Sequence, residues 1–252
     1  MAKAQNEAWG LGYLDLYLIH FPVALEYIEP EKLRYPVSAC LPLDFRTQHS
    51  PQLKAWWMDN DHKTITLDRT PLQETWQALE EVVDVGIAKS IGISNAQAQT
   101  LYDLQSYARH PCSALQIEHH PYLVQPELVA MAQESNITIT AYSSFGPQSF
   151  LEMPPIFRER AKDISLLFDV NAVTAPAKRL NVTPAQVLLR WATQRNIAVI
   201  PKSNNVTRLQ QNLDVTSFEL TEEEIKAISA LDKGLRFNDP GFYLDQPLRI
   251  FA

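Results

Sequence analysis

Cysteine is nearly absent from this chain. Cys40 and Cys112 are the only two in 252 residues. They lie far apart, which leaves neither a disulfide framework nor the ligand spacing of a zinc site. A reducing, cytosolic setting is the simpler reading. Long apolar runs are also missing, and none approaches the 18 or so residues a bilayer-spanning helix needs. The N-terminal MAKAQNEAWG carries no apolar stretch of the secretory-signal kind. Excess positive charge is absent too. The 22 Lys and Arg against 29 Asp and Glu leave a formal net charge of −7, which argues against nucleic acid or an anionic membrane as the main partner. Together these absences lead to the expectation of a soluble cytoplasmic protein.

What is present is ordinary globular material, 46% hydrophobic and 20% charged, in a length that suits one large domain or two small ones. Five short apolar runs each close on a polar residue: Leu14–His20, Lys89–Asn95, Ala114–His119, Ile137–Ser143 and Ile197–Lys202. Amphipathic stretches with helix-start signals lie between most of them. Alternating strand and helix predicts an α/β fold with a parallel sheet. Polar residues collected at strand C-termini are the mark of a (β/α)8 barrel, whose chemistry sits on that face. Five runs are present where a closed barrel uses eight, and the shortfall falls before Tyr13.

Three helix starts carry capping-box spacing: Thr70-Pro71-Leu72-Gln73, Thr183-Pro184-Ala185-Gln186 and Thr221-Glu222-Glu223-Glu224. Each places Thr at the N-cap and a Gln or Glu three residues on. The first helix shows Leu72, Trp76, Leu79 and Val83 on one stripe and stops at Gly86; the second shows Val187, Leu188 and Trp191. Shorter helices are expected over Gln97–Tyr107, Pro126–Ser135 and Thr207–Leu213. Phe21 to Arg69 fits poorly, being long, proline-rich and aperiodic around Trp56-Trp57. Pro176 predicts a kinked or shortened helix within Asp163–Leu180.

The chemistry gathers after the strands. Ile200-Pro201-Lys202-Ser203-Asn204 delivers a cation and a hydroxyl, and Arg208 lies in the first turns of the next helix. Two cations, a hydroxyl and helix N–H groups suit a phosphate, against the competing reading of a solvated basic turn. Tyr142 to Ser149 is rich in small residues and could wrap a pyrophosphate while its ring stacks on a flat ligand, or could be a plain loop. Ser94, Asn95 and Gln116 end two adjacent expected strands and could converge on an amide-bearing ligand, or be satisfied turn residues. His20 could hydrogen-bond a reacting carbonyl, though a lone histidine is often structural. His119 and His120, adjacent on a strand, face opposite ways and make a poor metal pair.

Taken together, LDLYLIHFP, GIAKSIGISN, LQIEHHPYLVQPEL, TAYSSFGPQSF, TPAQVLLRWATQRNIAVIPKSNN and RFNDP closely resemble the aldo-keto reductase family, most nearly its fungal D-xylose (aldose) reductases. The resemblance implies a (β/α)8 TIM barrel of aldo-keto reductase type, N-terminally truncated, with about five of eight βα units present. It implies one NADP-dependent oxidoreductase domain over residues 1–252, with 37–54 as a candidate non-family insertion. The implied activity is NAD(P)H-dependent reduction of an aldose, or another carbonyl, to the alcohol. By the same resemblance, Ser94, Asn95 and Gln116 bind the nicotinamide carboxamide and Tyr142 stacks on its ring. The loop holding Ser143, Ser144, Phe145, Gly146, Gln148, Ser149 and Glu152 covers the pyrophosphate. Lys202, Ser203, Asn204 and Arg208 hold the adenosine 2′-phosphate, with Gln211 and Asn212 near the adenine. His20 orients the substrate carbonyl, Phe21 lies beside it, and Asn238 contacts sugar hydroxyls. NADPH is the expected cofactor with NADH also accepted, a small aldose or aldehyde the expected partner, and a homodimer the expected assembly. The implied proton donor is a Tyr tuned by a Lys–Asp pair, all three in the family's first three βα units, to which no segment here corresponds. The competing expectation is a non-catalytic paralogue, or an incomplete gene model, that keeps the cofactor-binding elements.

Overall fold

The computed structural model describes residues 1–26, 66–151, 159–243 and 247–251. The 37–54 segment, Cys40, the Trp56-Trp57 pair and Glu152 lie outside the described residues.

The five apolar runs form β1 (Leu14–Ile19), β2 (Ala88–Ser94), β3 (Ala114–Glu118), β4 (Thr138–Tyr142) and β5 (Ile197–Val199). Every neighbouring pair is parallel, and the order across the sheet follows the chain, β1-β2-β3-β4-β5. A barrel is built in this way, because each crossover returns the chain to the next position in line. The register sets Ser94 opposite Gln116 and Glu118 opposite Tyr142, so the polar strand ends lie level across the sheet.

The helices are α1 (Ala2–Ala8), α2 (Leu72–Asp84), α3 (Ala98–Tyr107), α4 (Pro126–Glu134), α5 (Asn171–Leu180), α6 (Pro184–Thr193), α7 (Val206–Leu213), α8 (Glu222–Ser229) and the short α9 (Pro240–Tyr243). Strand side chains alternate between two faces. Ile91 and Ile93, Leu115 and Ile117, and Ile139 and Ala141 share one core with Trp76, Leu79, Leu101, Leu104, Leu128 and Trp191 from the helices. Each such Leu or Ile, fully buried, stabilises by about 1.5–3 kcal/mol, more than a helix cap contributes, so this face determines where the helices lie. On the opposite face of β2, Gly92 leaves no room for a side chain. A Cβ there would sit 2.4 Å from the Ala114 carbonyl oxygen and 2.7 Å from Leu18 Cδ2.

Two of the three capping boxes form. Thr183 accepts from Gln186 N and Thr221 from Glu224 N, each with the reciprocal bond. The Thr70 box does not form. Asp68 captures both the Thr70 amide, at 2.7 Å, and its hydroxyl, so Pro71 becomes the N-cap and α2 starts at Leu72. The carboxylate two residues away takes the Thr70 amide that the Gln73 side chain would receive in a capping box, and binds the hydroxyl as well. Pro176 lies in a shortened helix, as expected. Asp163–Val170 forms turns and a 3-10 segment, and α5 then runs from Asn171 through Pro176 to Leu180, so the helix is short but the proline lies inside it. Asn181, at φ +55°, ends it in the left-handed conformation.

Candidate functional site

Beyond the C-termini of β1 to β4, the polar residues anticipated from the sequence meet in one hydrogen-bonded chain. Ser94 Oγ donates to the Gln116 backbone carbonyl at 2.8 Å, and the Asn95 backbone N–H donates to the same oxygen at 2.9 Å. Asn95 Nδ2 donates to the backbone carbonyl of His20 at 2.9 Å, and Tyr142 OH donates to Asn95 Oδ1 at 2.6 Å. Asn238 Nδ2 donates to the Tyr142 oxygen at 3.2 Å. Ser94 and Asn95 are buried, Gln116, Tyr142 and Asn238 half-buried. Their bonds satisfy groups that burial would otherwise penalise. The local backbone is bent to bring them there: Asn95 has φ +60° and Ser143 φ +53°. Left-handed geometry costs a serine about 1–2 kcal/mol, and such outliers gather where a site over-determines them.

His20 follows β1, its ring 5.0 Å from that of Phe21. Although the residue as a whole is exposed, partial desolvation at the strand ends pushes its pKa below the ordinary imidazole value. It is therefore neutral at pH 7.

The loop after β4 is tightly folded. Gly146 N donates to the Ser143 carbonyl at 2.8 Å, and Ser144 Oγ to the Ala141 carbonyl at 3.3 Å. Gly146, at φ +58°, packs so closely that a Cβ would lie 2.8 Å from Leu167 Cδ1. Phe145 meets Phe168 edge-on at 5.5 Å, Gln148 Oε1 accepts from Leu167 N at 3.3 Å, and Ser149 is half-buried in the 3-10 turn Gly146–Phe150.

The third cluster is separate. Lys202, Asn204 and Arg208 are exposed and Ser203 is half-buried, all on the turn from β5 into α7. Among the described residues neither cation is ion-paired. Asn205, which sequence reasoning passed over, is the N-cap: its Oδ1 accepts from Arg208 N at 3.0 Å, and its amide donates to Ser203 Oγ at 3.1 Å. Gln211 and Asn212 lie half-buried further along α7.

Sequence reasoning also missed Glu118. This fully buried carboxylate accepts from His120 Nε2 at 2.9 Å, from Phe237 N at 2.8 Å and from Asn238 N at 2.8 Å. A charged residue inside an apolar strand run was the available signal, since burying one demands partners. His119 points the other way, stacked on Trp191 at 5.0 Å, with its Nε2 3.1 Å from Arg195 Nη1. Burial, with help from Arg195 and His120, pushes its pKa down to about 3. The buried Cys112 thiol is pushed up to about 11 by desolvation. Among the described residues no group of three or more His, Cys, Asp or Glu could hold a metal.

The sequence profile of the Aldo/keto reductase family matches residues 1–233. The NAD(P)H-dependent D-xylose reductase of Aspergillus niger is 50% identical over 249 residues, covering 98% of this chain and 71% of that protein. The NAD(P)H-dependent pentose reductase of Pyricularia oryzae is 49% identical over 257 residues, covering 100% of this chain and 72% of that protein. Among solved structures, a Bombyx mori aldo-keto reductase in complex with NADP superposes with a TM-score of 0.72 at 29% identity, over 98% of this chain and 67% of that one. The aldose reductase of Schistosoma japonicum gives a TM-score of 0.73 at 29% identity, over 98% and 68%. The chain spans about two thirds of the length of its curated relatives, down to 66% for a 52% identical Aspergillus clavatus protein. The five-stranded sheet is thus part of a (β/α)8 barrel of this type.

Proposed function

The chain belongs to the aldo/keto reductase family, and from that premise we propose that it serves the NAD(P)H-dependent reduction of an aldose, of the D-xylose to xylitol kind, to its alcohol. The observation that carries this reading is the Asn95–Tyr142–Asn238 chain at the strand ends, with Asn95 also bonded to the backbone carbonyl of His20.

The residues present fit the cofactor by their chemistry. A half-buried tyrosine ring offers a flat surface at the end of β4, and two cations, neither ion-paired among the described residues, stand on the turn into α7 and in its first turn, where helix N–H groups favour an anion. NAD(P)H, when bound, supplies the hydride. Ser94, Asn95 and Gln116 would hold its carboxamide and Tyr142 would stack on the nicotinamide. Ser143, Ser144, Phe145, Gly146, Gln148, Ser149 and Glu152 would cover the pyrophosphate. Lys202, Ser203, Asn204 and Arg208 would grip the 2′-phosphate, with Gln211 and Asn212 near the adenine.

His20 acts as a neutral imidazole donating one N–H to the substrate carbonyl, which orients the carbonyl carbon and polarises it. Phe21 lines the substrate side, and Asn238 reads a sugar hydroxyl. The family's proton donor, a Tyr tuned by a Lys–Asp pair, is assigned to no residue of this chain. A cytoplasmic location and a homodimer belong to the same proposal.

The test is cofactor binding, read by quenching of the five tryptophans. Replacing Lys202→Met together with Arg208→Ala should weaken NADPH by tenfold or more, since hydrogen bonds to charged groups contribute about 1.5–3 kcal/mol each. NADH, which lacks the 2′-phosphate, should change by less than about twofold. Failure of the unaltered chain to bind NADPH, or equal loss of both cofactors, would overturn the assignment.

A further inference from the structure

Two segments 119 and 120 residues apart are joined through a single carboxylate. Glu118, at the end of β3, is fully buried and receives the amides of two consecutive residues, Phe237 on Oε1 and Asn238 on Oε2, each at 2.8 Å. Oε1 also accepts from His120 Nε2 at 2.9 Å, so that nitrogen carries the proton. Gln125 reinforces the joint. Its Nε2 donates to the Glu118 carbonyl at 2.8 Å and its Oε1 accepts from Arg236 Nη2 at 2.9 Å. The Phe237 ring closes the remaining space, 5.3 Å from His120 and 5.4 Å from Phe150. Just beyond the joint, Asn238 Nδ2 reaches Tyr142 OH, and Tyr142 is the register partner of Glu118 on the neighbouring strand.

An apolar side chain could fill this volume, but it could not orient two successive amides. A buried carboxylate is costly to house and specific in what it holds. Its partners here are backbone groups of the segment that carries Asn238. We infer that Glu118 is the positioning residue of the substrate side. By fixing the Phe237 and Asn238 amides it sets the Asn238 carboxamide against Tyr142, and so governs sugar affinity without touching cofactor or sugar. The sugar half of this inference rests on the proposed aldose reduction; the latch itself does not.

The experiment replaces Glu118→Gln in the chain and reads three quantities. Gln keeps the shape but offers one acceptor oxygen for three donors. Hydrogen exchange of the 235–239 amides should speed up at least tenfold, while amides within β3 and β4 keep their protection. NADP+ affinity should stay within about twofold. Xylitol affinity in the presence of NADP+ should fall about tenfold, and this loss should disappear when Asn238→Ala is already present, because Glu118 acts through Asn238. Unchanged exchange at 235–239, exchange raised equally throughout the sheet, or losses that simply add to those of Asn238→Ala would each overturn the inference. If Glu118→Gln does not fold, Glu118→Asp, which keeps the charge beside His120 but shortens the reach, is read by the same criteria. If the unaltered chain binds neither NADP+ nor xylitol, the proposed function fails, and the exchange data alone decide whether Glu118 is the latch.

Discussion

His119 and His120 are neighbours in the chain with opposite surroundings, and their difference shows how much one residue's environment decides. His120 faces Glu118, while His119 faces Trp191 and Arg195. Burial, reinforced by the Arg195 cation and by His120, disfavours protonation of the His119 imidazole, which is why it sits at about 3 instead of the ordinary 6.5. Its folded value lies below its unfolded one. The unfolded chain therefore binds more protons between about 6.5 and 3, and stability falls as pH drops through that window and is fully present above it. The limiting slope is about 1.4 kcal/mol per pH unit. His20, also lowered, adds in the same direction. Urea unfolding at pH 7 and pH 5, a range above most carboxylate titration, should show a loss of about 1–2 kcal/mol. His119→Gln should remove most of that loss. An equally steep dependence in the variant would place its origin elsewhere.

At the scale of elements, three Thr-x-x-Gln/Glu spacings look alike and only two act as capping boxes. The spacing says which bonds are within reach, and the competing acceptors decide which are made. At Thr183 the Gln186 side chain accepts from the N-cap amide, whereas at Thr70 the Asp68 carboxylate takes that amide instead. Thr183→Ala should therefore cost about 1 kcal/mol in urea unfolding, the typical value for a lost cap. Thr70→Ala should cost only a few tenths, since it loses an exposed bond outside the helix. Equal losses would mean that the Asp68 arrangement is not the one populated in solution. Pro176 gives the same lesson: a breaker in an isolated helix, it sits buried within α5, where packing compensates for the missing N–H.

For the whole molecule, charge and site run in opposite directions. The chain carries a net charge of −7, yet the β5–α7 turn presents Lys202 and Arg208 unpaired among the described residues. An anionic cofactor approaches against the overall field and is held by a local one, and salt screens both over about 10 Å at 0.1 M. The contact with an exposed phosphate is the more sensitive. Raising the salt from about 0.05 M to about 0.5 M should weaken NADPH several-fold more than NADH. Parallel salt curves for the two cofactors would remove the phosphate grip from this turn.

Periodicity and strand-end chemistry determined a good deal unaided: five strands in parallel, most helices to within a residue or two, and Ser94, Asn95 and Tyr142 at the strand C-termini, whereas Asn238 is named only through the family resemblance. Those features are legible because a strand's alternation and a helix's 3.6-residue repeat are local, and because barrel topology places every strand C-terminus on the same side. Only the tertiary structure decided the rest. Glu118 gained its role from two amides more than a hundred residues away, Asp68 took Thr70 from its helix, and Gly92 was required by an oxygen on the next strand. Each depends on what long-range packing brings within about 3 Å, a distance that no spacing along the chain encodes.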